Sequence, residues 1–430
     1  MLQPWYDNEW GYAARIGDLT QTVEILRAVD KLEVAEKENI KIERPEKSKK
    51  KKEETLVSRK ELEEIAAARA RELEEAFMAK RKLLGGRKVR VGINGMAAKA
   101  GRLDQLILYQ LARRLDEDIE IVWINGVSDR AAYADSIQAH SDYGQLDNPI
   151  EHGKDKNGVD FVMIGGYANI SLYDETDPSG LPTVDCVFEL GYNNKGKPYE
   201  KEGVTVIDLS EDTAVASVIP GVTAIDPNKD AYAPASPMET GVSTVLSAIR
   251  ARYGIKIASL WSVMAVKYRQ VVLDRYSEAA AAANILPADV PVSETFSRTL
   301  KEEGIPLAIE GMTVPTTSGD CYVLKIFTDK KVKDDEEVNK VLEAALEGTD
   351  IVMEDAYTTA AARGRGVPIL DRQATKVIDG HIIVAVIWAD DQWGRAAAAI
   401  DLLKEVALER VKQGIGIGDL SHSRAIDGGV

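Results

Sequence analysis

Few residues in this chain of 430 have the type and spacing that chemistry demands. There are two thiols, Cys186 in the apolar run Val184–Leu190 and Cys321 at the head of Cys321–Phe327. Neither has a base nearby in sequence, so both read as buried and inert, and two cysteines are too few for a disulfide framework or a Cys-rich zinc site. Four imidazoles, His140, His152, His381 and His422, stand singly. They are expected near a loop, in a Gly/Lys turn, in a late hairpin and in the C-terminal tail, and no pair has the His-x-x-x-His spacing that presents two ligands on one helix face. No metal site is expected. The strongest local signal is Ala235-Ser-Pro-Met-Glu-Thr240 ahead of the run Gly241–Tyr253. Ser236 is a helix N-cap, Pro237 fits the first helical position, and Glu239 closes a Ser-x-x-Glu capping box. That is a stable helix start and not a nucleophile.

The elements around these residues describe a globular α/β protein. Hydrophobic content of 45% supports a sizeable core, and the chain is long enough for two domains and an appendage. No run of about 18 apolar residues and no signal-peptide pattern occurs, so a cytoplasmic protein without a membrane span is expected. A net charge of −16 argues against broad nucleic-acid binding. Residues 34–57 are a charged linker ending near Lys47-Ser-Lys-Lys-Lys-Lys52. From Ser58 a second capping box opens an amphipathic helix, 58–86, whose Leu62, Ile65, Ala66, Leu73, Ala76, Phe77 and Leu84 form an apolar stripe before Gly85-Gly86. That stripe needs a partner surface: the adjacent domain, a second copy or another protein. Residues 88–235 alternate strands (Val89–Ile93, Ile119–Ile124, Val184–Leu190, Val204–Ile207) with helix Leu103–Leu115, the pattern of a parallel sheet.

Several separated motifs resemble the glyceraldehyde-3-phosphate dehydrogenase family. Lys88-Val-Arg-Val-Gly-Ile-Asn-Gly95 with Gly101-Arg-Leu103 resembles its opening strand and turn, Ala374-Thr-Lys-Val-Ile-Asp-Gly380 its late hairpin, and Asn284-Ile-Leu-Pro287 and Val314-Pro-Thr316 fall between in family order. The resemblance implies a Rossmann-type dinucleotide-binding domain, 88–235, and an α+β catalytic-type domain, 236–412. The latter carries an antiparallel sheet (Ile257–Val266, Leu307–Val314, Cys321–Phe327, His381–Trp388), helix Glu336–Leu346 and a final helix Arg395–Val411; residues 413–430 are a tail. The family's C-terminal signature occurs twice, as Trp5-Tyr-Asp-Asn-Glu-Trp-Gly-Tyr12 and as Trp388-Ala-Asp-Asp-Gln-Trp-Gly-Arg395. Residues 1–33 therefore read as a remnant of a fused upstream gene or as a docking segment.

In that resemblance NAD is the family's cofactor, and its contacts fall on Gly92, Asn94, Gly95, Gly101, Arg102, Asn125 and Asp391. They are eroded. Ala97 replaces a phosphate-loop glycine, where its methyl group obstructs the pyrophosphate; Gly126 replaces the ribose-gripping acid, with Asp129 displaced from it; Asp391 replaces the Asn that holds the carboxamide. No tightly held cofactor is expected, with NAD the one that the fold would take. The catalytic Cys falls on Pro237 and the catalytic His on Met264, so no catalytic residue remains. In the inorganic-phosphate loop, Asp289 repels an anion and Pro291 removes a donor. Lys267 and Arg269 add positive charge, and Glu239 with Asp390 and Asp391 forms an acidic cluster; Lys267, Arg269 and Glu239 are the candidate ligands of a repurposed site. The family's long interface loop is shortened to an Ala-rich helix, Arg269–Ala283, which disfavours the family tetramer and leaves a dimer. The expectation is a dehydrogenase-like pseudoenzyme that acts as a structural or interaction subunit and binds a protein partner through residues 1–87. The alternative is an NAD(P)- or nucleotide-binding oxidoreductase or sensor with new ligands.

Overall fold

The computed structural model describes residues 88–95, 103–114, 119–146, 148–165, 169–191, 197–199, 201, 203–210, 213–266, 270, 279–281, 283–347, 349, 351–356 and 358–414. The expectations for residues 1–87, for Ala97, Gly101, Arg102, Lys267 and Arg269, and for the tail from 415 lie outside them.

Strand β1 (Val89–Asn94) leads to helix α1 (Leu103–Arg114) and strand β2 (Ile119–Asn125), then α2 (Arg130–Ile137). A ribbon of β3 (Ala139–His140) and β4 (Gly144–Gln145) precedes β5 (Ile150–Lys154), β6 (Asp160–Ile164) and β7 (Ile170–Tyr173). Strands β8 (Cys186–Glu189), β9 (Thr205–Asp208), β10 (Ser217–Val218) and β11 (Ala231–Pro234) complete a nine-stranded sheet in the order β10-β11-β9-β8-β1-β2-β7-β6-β5. Its centre is parallel, β9, β8, β1, β2 and β7 all running together, and only the β5–β6–β7 edge is antiparallel. Near-continuous apolar strands such as Val89–Ile93 are what a sheet buried on both faces requires.

Helix α3 (Pro237–Tyr253) opens the second half, followed by β12 (Ile257–Met264), β13 (Leu286–Pro287), α4 (Glu294–Glu302), β14 (Leu307–Thr313) and β15 (Asp320–Phe327). Then come α5 (Asp335–Leu346), β16 (Val352–Glu354), α6 (Thr359–Ala362), β17 (Ile369–Asp371), β18 (Lys376–Ile378), β19 (Ile382–Ala389) and α7 (Asp391–Lys412). The second sheet has eight strands, β13-β14-β12-β15-β19-β17-β16 with β18 on β19. It is mixed and not wholly antiparallel as expected: β12 runs parallel to β14 because the α4 crossover returns the chain in the same direction, and β16 runs parallel to β17. One face is buried beneath α3 and α5 by Ala258, Leu260, Leu324, Ile326, Ile383 and Ile387. Alternation does this: the β15 and β19 burial patterns change with every residue, the period of a strand covered on one side.

Helix α7 starts a turn before the expected Arg395, because the Asp390 side chain accepts from Trp393 N (3.1 Å) and caps it. It packs along α1 beneath the first sheet, adding Trp393, Ala396, Ala399, Ile400 and Leu403 to that core, and Gln110 Nε2 donates to Trp393 O at 2.7 Å. Two other expectations are corrected. His152 lies in strand β5 opposite Val162 and not in a turn; the turn is Asp155–Gly158, where Asp155 accepts from Asn157 N and Val159 N and Gly158 takes φ 81°. The described end of the predicted helix Arg269–Ala283, at 279–281 and 283, is irregular backbone and turn and not helix.

Candidate functional site

The start of α3 is closed by side chains of its own chain. Ser236 Oγ accepts from Glu239 N (3.2 Å), and Glu239 Oε2 accepts from Ser236 N (3.0 Å), the capping box that the sequence predicts. The other oxygen, Oε1, accepts from Ser293 N at 2.5 Å, and Ser293 in turn caps α4 through Phe296 N (3.1 Å). Glu239 is 3% exposed, so one buried carboxylate ties two helix N-termini together. Both of its oxygens are committed within the chain and do not join Asp390 and Asp391.

Pro237 is buried in the first turn of α3, against α7. A Cβ at Gly394 would lie 2.6 Å from Pro237 Cγ, so the proline ring occupies the space that a side chain on α7 would take. Met264, 5% exposed, closes β12 with its carbonyl accepting from Val314 N (2.9 Å). Where β15 and α7 begin, acids gather. Asp320 Oδ1 accepts from Ala265 N (2.7 Å) and its Oδ2 from Tyr322 OH (3.0 Å), while Asp390 accepts from Tyr143 OH (2.8 Å), Gly364 N (2.9 Å) and Trp393 N. Burial, and then the Asp391 charge, push the Asp320 carboxyl well above the carboxylate range. Burial also raises the Asp390 carboxyl, against three hydrogen bonds. Sequence reasoning placed Asp390 and Asp391 here and missed Asp320. Its inward register with Tyr322, Leu324 and Ile326 was the available signal, since an acid at a core position of a strand needs partners.

The acids are linked to the first half. Tyr143 stacks on Trp393 (4.8 Å between ring centres) and on His140 (4.7 Å), and Thr317 Oγ1 donates to Asp142 Oδ1. The thiols are not poised as nucleophiles: burial raises Cys186, and burial with the Asp371 and Asp320 charges pushes Cys321 up to about 12. Among the described residues no group of three or more His, Cys, Asp or Glu side chains is arranged to hold a metal ion.

At the carboxyl ends of the parallel strands, the expected cofactor residues contact each other. Asn94 Nδ2 donates to Glu189 Oε2 (2.8 Å), Asn125 Nδ2 to Asn94 Oδ1 (3.0 Å), and Glu175 N to Asn125 Oδ1 (2.8 Å). Glu189 is a second residue that the sequence did not flag; burial pushes its carboxyl up to about 7, against hydrogen bonds from Asn94 and Tyr199. Gly92 is a packing glycine, because Trp123 lies 2.2 Å from where its Cβ would be. Gly95, at φ 89°, presses on the Gly191 carbonyl, 2.2 Å from its Cβ position. Gly126 takes φ 94°, and the nearby Asp129 carboxylate caps α2 through Ala132 N (3.0 Å). Of the residues expected to touch a dinucleotide, Gly92, Asn94, Gly95 and Asn125 are thus packed or bonded to the ends of neighbouring strands.

Residues 238–391 match the family model "Glyceraldehyde 3-phosphate dehydrogenase, C-terminal domain". The chain is 24% identical over 344 residues to glyceraldehyde-3-phosphate dehydrogenase 1 of Saccharomyces cerevisiae, covering 74% of this chain and 99% of that protein. Both findings are similarities to the glyceraldehyde-3-phosphate dehydrogenase family. The family match starts at Met238, one residue after Pro237, and ends at Asp391, the first residue of α7. It therefore spans the second sheet, the double cap at Glu239 and the acids at Asp320 and Asp390. No helix among the described residues is long and apolar enough to cross a membrane.

Proposed function

We propose that this chain is a dehydrogenase-like pseudoenzyme that keeps the family fold and has exchanged its reaction for a structural or interaction role. The observation that carries this reading is Pro237. At the position where the resemblance puts the nucleophile stands a residue with neither a thiol nor an N–H, wedged against Gly394. The buried thioether Met264, where the base is expected, can move no proton. A helix start so thoroughly capped supports selection for stability, since the Ser236 and Glu239 side chains there both bond the chain's own backbone.

The first half is read as the dinucleotide-binding type by its parallel sheet and by the resemblance of Lys88–Gly95 with Gly101–Leu103 to the family's opening motif, with cofactor binding lost. The test is a thermal-shift titration of the full chain with NAD and NADP, because a ligand specific to the folded state must raise the melting temperature. No shift is expected at millimolar dinucleotide. A clear shift would favour the alternative, a nucleotide-binding oxidoreductase or sensor, whose one supporting feature here is the raised Asp320 carboxyl beside Asp391.

A homodimer through the outer face of the second sheet is the assembly we favour over the family tetramer. Ile257 (47% exposed), Phe327 (40%) and Ile378 (51%) lie in one row across β12, β15, β19 and β18, with Trp261 (37%) two rows away. Such an apolar sheet face is uncommon on a monomer. Trp261→Lys is expected to halve the mass measured by light scattering without lowering helix content; a monomeric wild type would end this part of the proposal. Residues 1–87 are proposed to carry the contact with another protein, to be tested by pull-down with and without them.

A further inference from the structure

We infer that an apolar slot between helix α1 and the first sheet receives Leu84 of this same chain, so that residues 71–86 dock on the domain they precede. That leaves residues 1–70 for the contact with another protein proposed above. Leu111 and Ala112 of α1 form one wall of the slot, and Ile121, Ile164 and Ile170 of the sheet form the other. Its volume is about 50 Å³. Each water-sized group needs about 10–15 Å³, so the slot has room for about four, the number of carbons in a leucine side chain.

Those five side chains are aliphatic and offer water no partner, and carbon fills such a site favourably. The slot opens beside Glu120, which is half-exposed, and Lys88, which is exposed. Lys88 is also the residue through which the preceding chain enters β1, so the covalent path selects the occupant. Leu84 stands four residues before it and stays within about 14 Å of the mouth even with the backbone extended. Gly85 and Gly86 lie between them and permit the reversal that carries a side chain back over the strand ends. A second copy or another protein must enter at its own concentration, whereas so short a tether holds Leu84 at roughly millimolar effective concentration.

The sequence leading into the slot is matched to it. Leu84 ends the stripe that includes Leu73, Ala76 and Phe77, which needs an apolar surface, and seating Leu84 turns that face towards the domain. Charge agrees as well. Val89 pairs with Ile119 in parallel register, so the chain enters β1 and β2 at the same end of the sheet. There Lys80, Arg81, Lys82 and Arg87 precede β1, while the α1–β2 connection carries Asp116, Glu117 and Asp118, followed by Glu120. Arg113 and Arg114 at the end of α1 offset only part of that negative charge, and the surplus attracts the basic segment.

Full-length chain carrying Leu84→Cys is labelled with a polyethylene glycol maleimide beside Lys82→Cys, which points away from the stripe, and the wild type gives the background from Cys186 and Cys321. Leu84→Cys is expected to react at least about tenfold more slowly than Lys82→Cys, independently of chain concentration. Ala112→Met fills the slot from its own wall and is expected to bring Leu84→Cys back to the Lys82→Cys rate. Leu84→Asp is expected to melt roughly 3–6 °C below the wild type. Equal labelling of the two cysteine variants, protection that Ala112→Met leaves in place, or an unchanged melting temperature in Leu84→Asp would overturn the docking. Protection that falls on dilution would give the slot to a second copy and overturn docking within one chain. None of these variants alters Pro237 or Met264, so the outcome is separate from that of the pseudoenzyme reading.

Discussion

Replacing Glu239 by Ala removes the one carboxylate that holds both α3 and α4 at their starts. It accepts from Ser236 N at 3.0 Å and from Ser293 N at 2.5 Å, at a site 3% exposed. Hydrogen bonds to a charged acceptor contribute about 1.5–3 kcal/mol each, and the truncation leaves both N–H groups, at half-buried residues, unpaired. The expected loss is therefore about 3–5 kcal/mol. Ser236→Ala, which deletes only the cap to Glu239 N, is expected to lose about 1 kcal/mol. Glu239→Gln keeps one acceptor oxygen and turns an N–H towards the other donor, so it falls between, at about 2 kcal/mol. Urea unfolding with an unchanged slope measures these differences directly, and the Ala variant is expected to melt roughly 6–12 °C below the wild type. A loss below about 1 kcal/mol for Glu239→Ala, or one equal to that of Ser236→Ala, would refute the double cap. Glu239 would then again be a candidate ligand.

Other substitutions test the packing around this point. Gly394→Ala puts a methyl group 2.6 Å from Pro237 Cγ and is expected to destabilise by about 1–3 kcal/mol, much of it recovered when Pro237→Ala is combined with it in a double-mutant cycle. Arg410 donates to Pro227 O, Thr205 Oγ1 and Lys229 O while 4% exposed, so Arg410→Met is expected to lose about 3 kcal/mol in the same unfolding assay. Glu189 is held up to about 7 in the folded chain against an ordinary 4.5, so the folded state binds more protons between those values. Stability from this group is then complete at low pH and declines as pH rises through 7; Glu189→Gln is expected to flatten that decline in melting temperature measured from pH 4.5 to 8.

Local signals were legible in the sequence where a few adjacent residues determine the outcome. The Ser236–Glu239 capping box, strands at Val89, Ile119, Leu307 and Cys321, and helix α5 follow from short-range spacing, and each lies within two residues of where it was expected. What sequence could not show depends on contacts between distant segments. Glu239 reads as free until Ser293, 54 residues on, is placed beside it. Asp320 reads as the flank of a cysteine until the residue after β12 supplies Ala265 N and α7 supplies Asp391. The parallel β12–β14 pair was missed because alternation reveals which face is buried and says nothing of a neighbouring strand's direction. His152 was misread because Gly153-Lys154 resembles a turn, although the Asn157-Gly158 turn that follows lets β5 pair with β6.

The most direct test of the central claim is a turnover assay. Purified full chain is incubated with glyceraldehyde 3-phosphate, inorganic phosphate and NAD, and nicotinamide reduction is followed beside the yeast relative. The account predicts no rate above the blank, and none for Pro237→Cys alone, because Met264 supplies no base. Enzyme-dependent reduction by the unmodified chain that disappears in Asp320→Asn would contradict it, and would identify the acids at Asp320 and Asp391 as a working catalytic site.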